Sequence, residues 1–375
     1  MATSPLNKSY ESRFGGSPLP EPPPYVFPDP TKADLDYADL AIIDLSKAST
    51  EAGRAELTAQ VCEAMKKQGF FYVVNHGYTP EQTARIFSIA NMAFDNVDEK
   101  EKDIYTGKSP DILSGYKPRQ TWVIHNDIRD QIEQYNINKS NTQEHPAALR
   151  PYSKYLDDFA RHNHFNVVYP ILKFLARGLE LPEDTLIKQH QFDAEGEASV
   201  RFMKYFPRSK EEEEQTERVW MKGHYDICSV SVLWSQPIGG LQILSPDGIW
   251  RWVKHMDNAL VINVGDGLDF LCGGYYPPTC HRVIQPPVDQ ANRSRLGVFY
   301  FCYGDEDVQL APHTESRVLQ RAGIKSQLKP GTVAPSVRQW RSSRVKSYGH
   351  IKLTEGAEKG VEEEVVLGVV VKHFN

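Results

Sequence analysis

Apolar positions along this chain recur with two periods, and the change from one to the other sets the architecture it predicts. Over residues 51–68, Leu57, Val61, Ala64 and Met65 fall at helical spacing, and Gly69 is placed to stop the helix. A second helix is predicted from Thr79 and Pro80, proline standing in the tolerated first turn, with Ile86, Phe87, Ala90 and Phe94 facing inward. A longer one covers residues 155–180 through Phe165, Val168, Leu172, Leu175 and Leu179, with a kink expected at Pro170 because proline lacks the amide proton. Further helical pieces are predicted from Leu181-Pro182 and over residues 336–346.

Short apolar runs bounded by turn residues read as buried strands. They cover residues 41–45, 70–74, 199–205, 241–244, 249–253, 259–264, 280–285 and 295–301, with turns such as Pro246-Asp247-Gly248 between them. From residue 199 onward they follow one another at jelly-roll spacing, so the expected fold class is mainly β with flanking helices. The β-branched tail, residues 361–374, predicts one more strand, serving as an interface or a lid.

Two polar stretches break the pattern. Residues 1–36 are rich in proline, glycine and serine, and predict an extended arm lying over the domain. The run Lys210-Glu211-Glu212-Glu213-Glu214 reads as a solvated loop. Net charge is −6 over 375 residues with the charges mixed along the chain, which excludes nucleic acid and anionic membranes as expected partners. Five cysteines without metal spacing argue for a reducing compartment, and with no apolar leader or membrane span the expected location is the cytoplasm. Oligomeric state is left open.

Chemistry concentrates at Gly223-His224-Tyr225-Asp226. On a strand, residues two apart face the same way, so His224 and Asp226 converge. His281, in the later β-prone segment Thr279-Cys280-His281-Arg282-Val283, is the best third ligand. Two imidazoles and one carboxylate on one face make the facial triad of non-haem Fe(II) oxygenases, with positions left open for co-substrate and O2. Arg295 on the next strand offers a guanidinium fork suited to a small carboxylate.

From residue 198 to 305 the chain resembles the Fe(II)- and 2-oxoglutarate-dependent dioxygenases of the isopenicillin N synthase-like group. The matching residues are Arg201-x-x-x-Tyr205-x-Pro207, His224-x-Asp226, Gly239-Gly240-Leu241-Gln242-Ile243, Asn263-Val264-Gly265-Asp266, His281-Arg282-Val283 and Arg295, and the phrase from Gly69 to Gly77 matches the amino-terminal part. The resemblance implies a double-stranded β-helix core with iron at one mouth, His76 being structural. It implies a division into an arm (1–36), an amino-terminal α/β region packing on the core (37–197), the catalytic core (198–305) and a carboxyl-terminal extension (306–375). Fe(II), 2-oxoglutarate and O2 are the cofactor and co-substrates it implies, with His224, Asp226 and His281 as ligands and Arg295 and Tyr205 holding the far carboxylate of 2-oxoglutarate. Tyr116, Gln131, Tyr135 and Phe299 fall where the pocket wall is expected. The reaction implied is oxidation of a C–H bond in a small molecule of specialised metabolism, by hydroxylation, desaturation or rearrangement.

Two residues depart from the group's pattern. Gly297 stands where a serine usually follows the arginine, and Met203 replaces the asparagine of Arg-x-Asn-x-Tyr. Both remove polar groups from the carboxylate clamp, which keeps a keto-acid-independent Fe(II) oxidase as the alternative. Arg293, two residues before Arg295, is a second candidate for the clamp. A zinc hydrolase is chemically adequate but leaves Arg295 without a role, and a non-enzymatic binding protein is the remaining class.

Overall fold

The computed structural model describes residues 19–107, 114–125, 127–138, 143–194, 199–324, 333–347, 354–355 and 361–374. The start of the expected arm and the Tyr348-Gly349 pair lie outside them. Strand β1 (Ile42–Asp44) and strand β2 (Phe70–Val74) pair in parallel across helix α1 (Glu51–Lys67), whose first turn is capped by the Thr50 hydroxyl accepting from the Gly53 amide at 3.0 Å. Helix α2 (Pro80–Asp95) starts in a capping box between Thr79 and Gln82, with proline just inside it.

Strands β3 (Gly115–Lys117), β4 (Val123–His125), β5 (Ile128–Arg129) and β6 (Ile132–Asn138) follow. The long third helix is one helical run built from α3 (Ser153–His162), a π turn (Asn163–Val168) and α4 (Tyr169–Gly178). The π turn stands just before Pro170, where the sequence predicts a kink, and accommodates the missing amide.

The remaining strands are β7 (Ser199–Tyr205), β8 (Val219–His224), β9 (Val230–Trp234), β10 (Leu241–Leu244), β11 (Trp250–Trp252), β12 (Leu260–Val264), β13 (His281–Ile284) and β14 (Arg295–Cys302). Helix α5 (Val337–Ser347) and strands β15 (Thr354–Glu355), β16 (Val361–Val366) and β17 (Val369–Phe374) close the chain.

Two sheets form a jelly-roll core flanked by helices. One has the order β1-β2-β12-β9-β14-β7-β6-β3, the other β11-β10-β13-β8-β17-β16-β15. The period of two along each strand of the larger sheet divides its residues cleanly. Val200 and Phe202, Val230 and Val232, Ile262, and Leu296, Val298 and Tyr300 join the main core, to which α1, α2, α3 and α4 contribute. Their alternates, among them Arg201, Met203, Tyr205, Ser231, Asn263, Arg295 and Phe299, line a cavity on the sheet's other face. Because both faces are covered, these strands read as near-continuous apolar runs. Of the strands in residues 37–197, β1, β2, β3 and β6 are hydrogen-bonded members of the larger sheet, and β4 and β5 pair as a separate two-stranded sheet.

Three local features go beyond the sequence pattern. Lys210–Gln215 is a short helix rather than a loop, because Ser209 and Glu212 form a capping box and glutamates favour a helix amino terminus. Its Glu213 is buried and accepts from the Trp220 indole at 2.8 Å. The described part of the arm is docked: Tyr25 and Phe27 pack on Phe87, and Glu21 pairs with Arg85 at 2.8 Å. The long loop before β14 holds it farther along, Asp289 accepting from the Thr31 hydroxyl at 2.7 Å and the Lys32 amide at 2.8 Å. Among the described residues no helix is long and apolar enough to cross a membrane.

His164, in the π turn, ties the helices to the sheet. The Tyr300 hydroxyl donates to its Nδ1 at 2.8 Å and its Nε2 donates to the His190 carbonyl at 2.9 Å, an arrangement that needs the neutral ring. Burial lowers its pKa from 6.5 to about 4. Between those two values the unfolded chain takes up a proton that folded His164 refuses, so stability falls as pH drops through that window. The His164→Asn variant is expected to be less stable at neutral pH, yet to lose on the order of 2 kcal/mol less between pH 7 and pH 4.5. Urea unfolding at several pH values checks this; equal pH slopes for variant and parent count against it.

Candidate metal centre

His281 and His224 are opposite one another in the antiparallel pairing of β13 and β8, which places both imidazoles on one face. Their ring centroids are 4.4 Å apart. Asp226 follows two residues after His224, and its Oδ1 lies 3.8 Å from His224 Nε2 and 3.7 Å from His281 Nε2. These separations are too long for hydrogen bonds but within the roughly 4.2 Å that separates at most two ligands each about 2.1 Å from one ion. One donor atom from each of the three residues lies within 4.8 Å of the others.

The surroundings fit such an ion. His224 Nδ1 faces the Lys222 carbonyl at 2.9 Å and His281 Nδ1 faces the Thr279 carbonyl at 3.1 Å. Each backbone acceptor fixes the proton on Nδ1 and makes Nε2 the ligating atom. Asn263 Nδ2 donates to Asp226 Oδ2 at 3.0 Å, leaving Oδ1 toward the imidazoles, and the Ser231 hydroxyl bonds Asn263 Oδ1. Burial alone would push the Asp226 carboxyl up, but the two imidazoles and the Asn263 and Ser231 hydrogen bonds hold it below its ordinary value.

The motif Asn263-Val264-Gly265-Asp266 therefore serves the ligand loop. Asn263 orients the carboxylate, the Asp266 amide donates to the Asp226 carbonyl at 2.8 Å, and Gly265 leaves room, since a Cβ there would meet the Asp226 and Cys228 carbonyls.

The cavity facing these residues has a volume of about 360 Å³. Across it, Arg295 is 4% exposed and its Nε has no hydrogen-bond partner among the described residues. Tyr205 stands opposite Arg295 in the β14·β7 register, its ring centre 5.5 Å from the guanidinium carbon. Burial raises the Tyr205 hydroxyl to about 12, and among the described residues only the sulfurs of Met203 and Met221, each at 3.8 Å, lie within its reach. Arg293 is exposed and does not line the cavity.

The expected wall residues separate. Phe299 lines the cavity. Tyr116 borders it, but its hydroxyl is spent on the Ala93 carbonyl at 2.7 Å. Tyr135 does not line it: on the opposite face of β6 its hydroxyl meets His145 Nδ1 at 2.7 Å. Gln131 also lies outside, at the entry to β6, and the amide that does face the cavity is Gln134. Sequence reasoning missed Gln134 and gave Arg201 no role. A flap from Lys117 to Trp122 forms another wall, held by Asp130, which pairs with Lys117 at 2.6 Å and accepts from the Thr121 amide at 3.1 Å. Arg344 and Val345 of α5 complete the lining.

The two departures from the group's pattern touch: Met203 and Gly297 are direct cross-strand partners. A Cβ on Gly297 would come within 2.5 Å of the Phe299 ring, so that ring occupies the room a side chain would need.

Comparison with known proteins follows the same outline. Residues 40–157 match the family described as the non-haem dioxygenase in morphine synthesis N-terminal region, and residues 198–303 match the 2OG-Fe(II) oxygenase superfamily. The 2-oxoglutarate-dependent dioxygenase frbH of Dothideomycetidae sp. (strain 11243) is 30% identical over 295 residues, 74% of this chain and 85% of that protein. Gibberellin 2-beta-dioxygenase 2 of Arabidopsis thaliana is 28% identical over 254 residues, 66% of this chain and 71% of that protein. In fold, the chain is similar to a 2OG-Fe(II) oxygenase family protein from Caulobacter crescentus, with a TM-score of 0.67, 19% identity, and coverage of 83% of this chain and 99% of that one.

The contact between Gly297 and Phe299 makes a measurable claim. Gly297→Ser should destabilise the parent by about 1–2 kcal/mol through overpacking, and by clearly less in a Phe299→Ala background. A double-mutant cycle by denaturant unfolding reads the coupling; additive effects would show that the ring does not fill that space.

Proposed function

The chain belongs to the 2OG-Fe(II) oxygenase superfamily, and from that footing we propose that it oxidises a C–H bond of a small organic molecule with Arg295 and Tyr205 gripping the far carboxylate of 2-oxoglutarate. The observation that carries this is a buried guanidinium, partnerless at Nε among the described residues, in the same cavity as the His224, Asp226 and His281 donors. Fe(II) held by those three supplies the redox chemistry that couples O2 and the decarboxylation of 2-oxoglutarate to oxidation of the substrate.

The protein's own share is binding, orientation and exclusion of water. Neutral imidazoles at His224 and His281 and a single negative charge on Asp226 leave one net positive charge to attract the keto-acid end of the co-substrate. Arg295 adds a second positive charge, and its fork suits a carboxylate in two-pronged contact. Phe299, Met203 and the flap around Trp122 wall the site with apolar surface, which strengthens these attractions and keeps water from the reacting centre. We read α5 as part of that wall, since Arg344 and Val345 border the cavity. A reducing, cytosolic setting is supported by five cysteines, all free.

The apolar pair Met203 and Gly297 favours one rival, an Fe(II) oxidase that draws its electrons from the substrate and uses no keto acid. Calorimetry of 2-oxoglutarate with the full chain, loaded with Mn(II) under nitrogen, separates the two. Binding in the parent, weakened by about tenfold or more in Arg295→Gln, is expected from losing a charge-assisted contact. With Fe(II) in air the parent is expected to release succinate and His224→Ala to release none. A parent that binds no 2-oxoglutarate decides for the rival.

A further inference from the structure

Resting on the oxygenase reading above, we infer that the oxidised substrate carries a carboxylate, received by the Arg201 guanidinium and the Gln134 amide at the end of the cavity away from Arg295. Arg201, Met203 and Tyr205 alternate on the cavity face of β7, which sets Arg201 about 13 Å along the strand from Tyr205. The guanidinium is already positioned: its Nε donates to Asn136 Oδ1 at 2.5 Å, and its central carbon lies 4.6 Å from the centre of the Phe301 ring. Asn136 is held in turn, donating to the Gly115 carbonyl at 3.2 Å. Among the described residues nothing accepts from the two terminal nitrogens of Arg201.

Gln134 is wholly buried, lines the same cavity, and has no hydrogen-bond partner for either its amide nitrogen or its oxygen among the described residues. A buried polar group left unsatisfied costs about 1–3 kcal/mol, which a bound polar group relieves. Across β6 and β7, Gln134 is in register with Met203 and Asn136 with Arg201, so Gln134 and Arg201 are diagonal neighbours on one sheet face.

Charge balance points the same way. Lys117 is paired with Asp130 at 2.6 Å and Arg344 with Glu364 at 3.0 Å, and Asp226 is the only carboxylate among the described lining residues. Fe(II), Asp226, the 2-oxoglutarate dianion and Arg295 sum to zero. Arg201, partly buried, then leaves one positive charge uncompensated beside mostly apolar walls, where a counter-charge is favoured. A monoanion balances it, and a planar carboxylate matches the fork. Phe299, Phe301 and Met203 around it call for an apolar body behind that anion.

The test is calorimetric binding to the full chain loaded with Mn(II) and 2-oxoglutarate under nitrogen. The probes are a panel of aryl- and cycloalkyl-alkanoic acids, each beside its own methyl ester and primary amide. At least one acid should bind about tenfold or more tightly than both neutral partners. Arg201→Gln should erase that preference and Gln134→Leu should weaken the acid several-fold, with the affinity for 2-oxoglutarate unchanged in both. Should Arg201→Gln fail to fold, Arg201→Lys, which keeps the charge but loses the fork, should show a reduced preference. The inference is overturned if no acid outdoes its ester and amide, or if the preference survives intact in the Arg201 variant. Loss of 2-oxoglutarate affinity in Arg201→Gln also overturns it, by moving that residue to the co-substrate's site. A parent that binds the acids but no 2-oxoglutarate sinks the oxygenase reading and leaves the carboxylate site supported.

Discussion

The site depends on one strand register. With β13 against β8 as it stands, His281 lies opposite His224; a slip of one residue would turn its imidazole to the other face and leave two ligands. The register is secured from outside the strand pair. His281 also pairs with Ile243 of β10, and Thr279, whose carbonyl fixes the His281 ring, donates its hydroxyl to the Gln68 carbonyl at the end of α1 at 2.7 Å. Gly69 adopts a φ of +65°, and a Cβ there would run into Thr279. The helix stop in the amino-terminal region is therefore also part of the setting of a metal ligand far along the chain.

That dependence explains what the sequence disclosed. Strands buried on both faces advertise themselves as apolar runs, and β2, β7 and β10 have the bounds their patterns predict. His224 and Asp226 were legible because a period of two is a local property. The wall was legible at Tyr116 and Phe299 but not on β6, because that strand is covered on both sides and nothing local says which parity faces the cavity. Gln134 and Tyr135 are adjacent, and only the pairing with β7 and β3 sends one inward and the other to His145. The helix at Lys210–Gln215 was hidden by its like charges, although Ser209 and Glu212 already spelled its cap.

Met203 and Gly297 look in the sequence like two independent losses of polar groups. In the sheet they are one change, since the residues face each other and the Phe299 ring folds over the glycine. Thioether and aromatic surface stands beside Tyr205 instead, and among the described residues its hydroxyl has only sulfur within reach. On the proposed reading the charged part of the grip on a far carboxylate falls to Arg295 with Tyr205 beside it, and the space between the strand ends is apolar.

β7 works as a ruler in this arrangement. It carries Tyr205 at one end and Arg201 four residues back, on a strand hydrogen-bonded along its length on both sides to β6 and β14, so their separation is fixed by backbone geometry. The metal donors stand on the facing sheet and its adjoining loop. Asp226 hangs from Asn263 and Ser231, and Ser231 is in register with Phe301, the ring that supports Arg201. A substrate anchored at Arg201 can therefore offer the metal only those carbons that lie at a set distance from its anion. Regiochemistry in such a site follows from the length and bend of the substrate between anion and reacting carbon, and the apolar residues between the two ends tune it without disturbing either charge.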